Sequence, residues 1–109
     1  LSKPNLEDGY IRIANELYDV ILAYDFTLRE LKIVLAIMRK TYGFNKKNDV
    51  ISIRQIANMT GFRFQHVGKT LTKLITNGVV LLDGSLRIRR LGINKEYKSW
   101  INYVTKTVT

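Results

Sequence analysis

Between Ser52 and Gly78 the residues confine the chain to two helices joined by a tight turn. Ser52 is followed three residues later by Gln55, a pair in which each side chain can satisfy the other residue's free backbone N–H at a helix start. Ile53, Ile56, Ala57 and Met59 then carry the apolar spacing of a short helix, closed by Thr60-Gly61. After a brief turn a longer helix bears Val67, Leu71, Leu74 and Ile75 on one stripe and stops at Asn77-Gly78, a pair suited to a left-handed cap. Ala57 is small where the helices cross, Gly61 sits in the turn, and Val67 anchors the second helix. This spacing packs the second helix across the first and leaves its other side protruding.

Around this pair the remaining elements follow. Residues 1–9, with the only proline at Pro4, read as a flexible arm, and the domain proper covers 10–109. Tyr10-Ile11-Arg12-Ile13 alternates as a short extended segment, and a first helix begins near Asn15 with Leu17, Val20, Ile21 and Tyr24 inward. Thr27 and Glu30 form another capping box. The helix it opens has Leu28, Leu31, Val34, Leu35 and Met38 as its main stripe and Ile33, Ala36 and Ile37 on its other sides, so it should be covered nearly all round and run to about Thr41. Val50-Ile51 gives at most a very short strand. Val79 to Leu82 and Leu86 to Ile88 flank Asp83-Gly84-Ser85 as a hairpin, and Tyr97, Trp100, Ile101 and Val104 mark a last helix from Asn94. Helix, helix, short strand, helix, turn, helix, hairpin is the order of a winged helix-turn-helix, mainly α with a small β-hairpin wing. A helical hairpin buried in a core would share the central spacing.

Composition narrows the chemistry. The 109 residues suffice for one domain, and with no cysteine and one histidine neither a disulfide frame, a thiol nucleophile nor a Cys- or His-rich metal site can form. No phosphate-cradling G-x-x-x-x-G-K-[ST] loop is present and the carboxylates are scattered, so the reading is a non-enzymatic protein without cofactor or metal. Lys and Arg number 18 against 9 Asp and Glu, a net charge of +9 that favours a polyanionic partner. No apolar run approaches the roughly 18 residues that cross a bilayer, and the start lacks the apolar core of a signal peptide. Starting at Leu1, the chain reads as a fragment of a longer protein.

With Val67, Leu71 and Leu74 inward, the second helix of the central pair presents Arg63, Phe64, Gln65, Lys69, Thr72 and Lys73 to a DNA major groove. Arg and Lys donate to guanine, Gln pairs with adenine, and Phe touches a thymine methyl. Thr72 and Lys73 are equally at home on a solvated helix face, and a different helix rotation would bury Phe64. Gly68 allows close approach of either DNA or another helix. His66 lacks a partner base or nucleophile and reads as a polar edge residue or phosphate contact. Lys46, Lys47, Arg54 and the hairpin residues Arg87, Arg89 and Arg90 are expected on one side as phosphate or wing contacts, although surface solubility also accounts for them.

Several stretches resemble the amino-terminal, origin-binding domain of the lambdoid phage replication protein O family. They are Gly9 to Ile13 with Asn15-Glu16-Leu17, Arg39 to Lys47, Ile51-Ser52 with Gln55-Ile56-Ala57, and then Thr60-Gly61, His66-Val67, Leu71, Leu74 and Gly78. Weaker likeness continues through Leu91 to Lys95, Tyr97 and Trp100. Phe62-Arg63-Phe64-Gln65 departs from the family's usual leucine-serine-basic run at that helix start. The resemblance implies sequence-specific binding of double-stranded DNA at repeats of a phage or prophage replication origin. It also implies a homodimer on each repeat, a helicase-loading partner reached through a carboxyl-terminal region absent here, and the cytoplasm of a bacterial host. Two other readings share the fold: a transcription regulator, and a protein-docking module of a replication complex that covers an exposed Phe64 or Trp100. A dimer would use the first helix and the amino-terminal strand, or the terminal helix around Trp100.

Overall fold

The computed structural model of the chain describes residues 3–84 and 89–103. These residues form α1 (Asn15–Ala23), α2 (Leu28–Thr41), β1 (Asp49–Val50), α3 (Ile53–Thr60), α4 (Phe64–Thr76), β2 (Val80–Asp83) and β3 (Arg90–Ile93), with 3-10 turns at Leu6–Asp8, Tyr42–Phe44 and Tyr97–Ser99. The strands make one antiparallel sheet in the order β1-β3-β2, with Val50 opposite Arg90 and Val80 opposite Ile93. The fold is thus mainly helical with a small three-stranded sheet, compatible with a helix-turn-helix followed by a wing.

Both capping boxes close as the residue pairs dictate. Thr27 Oγ1 accepts from the Glu30 N–H at 3.1 Å while Glu30 Oε1 accepts from the Thr27 N–H at 2.8 Å, and Ser52 and Gln55 repeat the exchange at 3.0 and 2.8 Å. Gly61 ends α3 with φ of 79°, a left-handed conformation that costs a side-chain-bearing residue.

The core lies where α2, α3, α4 and the sheet meet, around Ile33, Val34, Ile37, Ile56, Val67, Leu71, Leu74, Val79 and Leu91. Each such side chain contributes about 1.5–3 kcal/mol on burial. The inward face of α2 differs from the expected stripe: Glu30, Ile33, Val34, Ala36, Ile37, Met38 and Thr41 are buried, whereas Leu28 and Leu35 are exposed. With apolar residues on every side, periodicity alone leaves the rotation open; packing on α3, α4 and β3 chooses it, and the helix is not covered all round.

Two further expectations change, and a third falls on residues outside those described. Tyr10 to Ile13 forms no strand, and only Ile13 packs on the core. Val80–Asp83 pairs with Arg90–Ile93, where Leu91 and Ile93 turn inward, and the expected strand Leu86 to Ile88 lies outside the described residues. The terminal helix is replaced by the Tyr97–Ser99 turn, because Asn94 draws the backbone elsewhere: its Nδ2 donates to the Gly78 carbonyl at 2.8 Å and its Oδ1 accepts from the Glu96 N–H at 3.0 Å. Trp100 is consequently not an exposed docking residue. It is 2% exposed, its indole N–H donates to the Asn94 carbonyl at 2.9 Å, and Tyr24 packs on it edge to face. Val104 lies outside the described residues.

Candidate nucleic-acid interface

Val67, Leu71 and Leu74 are buried at or below 1% exposure, so the rotation of α4 is settled. Gln65, Lys69 and Thr72, spaced by four and three residues, share its solvent face. The Thr72 hydroxyl donates to the Gly68 carbonyl at 2.9 Å, which turns it onto its own helix. Lys73 is drawn to the side, where its ammonium lies 3.3 Å from Glu30 Oε2; Glu30 is buried in α2 and also serves the Thr27 cap. His66 is exposed. At Gly68 an added Cβ would meet only Ile53 Cδ1 at 3.7 Å, ordinary contact, so α3 does not require a glycine there.

The start of α4 differs from those of α2 and α3. Arg63 occupies the N-cap position, and among the described residues no side chain accepts from the first turn's N–H groups. Those donors, with the positive end of a 13-residue helix, face outward. Phe64 is half-exposed, with the Arg54 guanidinium 5.6 Å from its ring centroid. Arg54 and Phe64 join Arg89 and Ser52 in lining a cleft of about 470 Å³ between the starts of α3 and α4 and the β3 end of the hairpin. Arg29 and Lys32 of α2, not among the residues expected from the sequence, stand 5.6 and 5.8 Å from the Phe62 ring in the α3–α4 turn. No signal in the order of residues pairs them with that turn.

Lys46 and Lys47 do not share this side. The β1–β3 register places Val50 and Arg90 at one end, and Lys47 lies beyond the other, where a Cβ on Gly92 would come 2.5 Å from its carbonyl oxygen. Asn45 turns left-handed there (φ 57°), and the Lys46 N–H donates to the Thr41 carbonyl at 2.9 Å, folding the loop back on the end of α2. Lys46 and Lys47 thereby line a separate cleft of about 410 Å³ with Arg12, Tyr42 and Lys95. Burial raises the Tyr42 hydroxyl above its usual pKa of 10.0, and a hydrogen bond to Glu16 Oε2 at 2.9 Å raises Tyr97. Arg90 is exposed, with its Nη1 3.4 Å from Asn48 Oδ1, and Arg87 lies outside the described residues. The expected basic residues therefore fall in two end clefts, at the loop after α2 and at the start of α3, with Lys47 and Arg90 sharing a third cleft over the sheet between them.

Among the described residues no cluster of three His, Cys, Asp or Glu side chains could hold a metal, and no helix is long and apolar enough to cross a membrane.

Comparison with known proteins adds the lineage. The chain is 38% identical over 107 residues to DNA replication protein gp18 of Salmonella phage P22, covering 95% of this chain and 38% of that protein. It is 32% identical over 96 residues to replication protein O of Escherichia phage lambda, covering 88% of this chain and 28% of that protein. Replication protein 15 of Enterobacteria phage phi80 is 29% identical over 97 residues, 89% of this chain and 32% of its own length. The chain thus spans under two fifths of each relative. No solved structure matches it. The family model described as bacteriophage replication protein O matches residues 2–100, and the chain belongs to that family.

Proposed function

We propose that this chain is a non-enzymatic winged helix-turn-helix module that binds double-stranded DNA sequence-specifically at repeats of a phage replication origin and so initiates replication. The observation that carries the reading is the start of α4: uncapped N–H groups beside Arg63, next to the cleft formed by Arg54, Phe64 and Arg89. A phosphate seated there would satisfy the free N–H groups and meet the helix's positive end. Gln65 and Lys69 on the solvent face then read base edges, with Arg63, Phe64, Thr72 and Lys73 at the borders of the contact. Arg54, Arg89 and Arg90, with Arg87 from outside the described residues, hold backbone phosphates, and Lys46 and Lys47 hold phosphates farther along the duplex. Relatives named as phage DNA replication proteins support the replication role. A homodimer on each repeat would use the outer side of α1, where Tyr18 and Leu22 are exposed four residues apart. Contacts with helicase-loading machinery belong to the part of such proteins outside this chain, in the cytoplasm of the host.

Selection of bound duplexes from a random pool at about 150 mM salt, which suppresses purely electrostatic binding, tests the reading. The expected result is a repeated or palindromic motif that maps to a replication region. Gln65→Ala and Lys69→Ala should each cost about 1–3 kcal/mol of discrimination against a scrambled site. Enrichment of no motif, or variants that discriminate as the wild type does, would remove α4 from the major groove.

A further inference from the structure

The geometry points to a second DNA-backbone site at the end of the sheet away from the start of α4, formed by Arg12, Lys46, Lys47 and Lys95 beside Tyr42. Three separate segments build it. Arg12 comes from the stretch before α1, the two adjacent lysines from the loop after α2, and Lys95 from the chain leaving β3. The placement is held by the fold. The bare Cα of Gly92 lets the Lys47 backbone close on β3, and the Lys95 ammonium rests 5.7 Å from the Tyr42 ring centroid.

The charged side of the cleft is almost all donors, beside an apolar wall of Ile13, Ala14 and Leu17. Glu16 is its one carboxylate, and an oxygen of Glu16 already accepts from the Tyr97 hydroxyl. Lys46 is 3.8 Å from Asp49, but Arg12, Lys47 and Lys95 have no carboxylate within 4.0 Å among the described residues. The Tyr42 hydroxyl is buried behind the cleft with no hydrogen-bond partner among the described residues, and the ring rather than the hydroxyl faces Lys95. An acceptor-rich group with dispersed negative charge, a phosphate diester, answers this set.

Continuity favours a nucleic-acid backbone over an acidic peptide. Lys47 and Lys95 also line the adjoining cleft over the sheet, together with Arg90 and the carboxylates Asp83 and Glu96. Cations therefore stand at both ends of β3, Arg89 and Arg90 beside the α4 cleft and Lys95 at the far end, with Leu91 to Asn94 between them. The four residues of β3 rise about 13 Å, close to four base steps along a duplex. Cations at the two ends of that line match phosphates about four steps apart on one strand. DNA leaving the α4 face continues along β3, and the far cleft holds its flanking backbone. This rests on the proposed DNA binding but not on sequence discrimination by α4.

The test is the salt dependence of binding to two duplexes: the shortest that retains full affinity at low salt, and the same duplex extended by one helical turn at each end. Wild-type protein should show a steeper dependence on the extended duplex. The exposed pair Arg12→Ala and Lys95→Ala, checked for folding by circular dichroism, should lower the magnitude of that slope by about two on the extended duplex only, at roughly 0.9 for each phosphate no longer neutralised. Arg12→Lys with Lys95→Arg should restore it. Equal wild-type slopes on the two duplexes, or an unchanged slope in the alanine pair, would overturn the proposal and leave an acidic protein surface as the occupant. Scrambled duplexes separate the two readings. If α4 does not discriminate, site and scrambled affinities coincide while the shallower slope of the alanine pair persists on both; absence of all DNA binding sinks both.

Discussion

Cations gather at both ends of β3, but they meet opposite ends of helices. Arg54 and Arg63 stand at the starts of α3 and α4, where the helix dipole is positive and a cation costs the fold about 0.3–1 kcal/mol. Lys46 and Lys47 fold back on the end of α2, where the dipole is negative and a cation helps by a similar amount. Charge at the far end thus has a structural use before any ligand is considered. At the start of α4 it works against the fold, so a ligand that offsets it is the better account. Capping repeats the contrast: α2 and α3 open with closed reciprocal boxes, while α4 opens with an arginine.

The largest effect on this comparison should come from Glu30, which ties α2 to α4. Glu30→Ala removes the reciprocal cap at Thr27 and leaves Lys73 without its buried partner, and should cost about 2 kcal/mol in denaturant unfolding. If Lys73 serves only the fold, the corrected affinity for DNA stays the same; a change in base preference would return Lys73 to the groove.

Next come changes of opposite sign at the two ends. Arg63→Ser supplies the missing cap and should stabilise by about 1 kcal/mol while weakening DNA binding. Gly68→Ala, which has room beside Ile53, should stabilise by a comparable ~1 kcal/mol. Lys47→Ala should instead destabilise, by roughly 0.3–1 kcal/mol and less at high salt. Thermal melts of the three variants decide the matter, and a stabilised Lys47→Ala would break the contrast.

The smallest effect concerns Tyr42. Its raised pKa, caused by burial, means that the folded state holds the proton more tightly than the unfolded one. That stability is present below pH 10.0 and is lost as the pH rises through the folded value. Tyr42→Phe removes a buried hydroxyl lacking a partner among the described residues, and should leave the domain equally stable or up to ~1 kcal/mol more stable at neutral pH. It should also flatten part of the decline in denaturant midpoint between neutral pH and about pH 11. An identical decline in the variant would assign the titration to Tyr24 and Tyr97, whose pKa values are also raised.

How much was legible depended on the range of the interaction. Thr27 with Glu30 and Ser52 with Gln55 were readable because a capping box needs only residues three apart. Val67, Leu71 and Leu74 were readable because α4 has one apolar stripe, which in turn placed Gln65 and Lys69 outward. On α2 the same method failed, since its apolar residues surround the helix and only neighbouring elements select the buried set. Trp100 was misread because the Asn94 side chain reaches Gly78, 16 residues back, and that contact turns a helical pattern into a tight turn.

The residues alone determined where α2 and α3 start and where α3 and α4 stop, which face of α4 is apolar, and an excess of positive charge that calls for a polyanion, because these follow from local geometry and from counting. Only the tertiary structure decided how that charge is divided. Arg54 shares a cleft with Arg89, Arg12 shares one with Lys95, and Lys73 pairs with Glu30 across 35 to 83 residues of chain, placements set by the register of β3 and the packing of α2 on α4. Pairings at that range are selected by the burial of a shared core, and no local spacing encodes them.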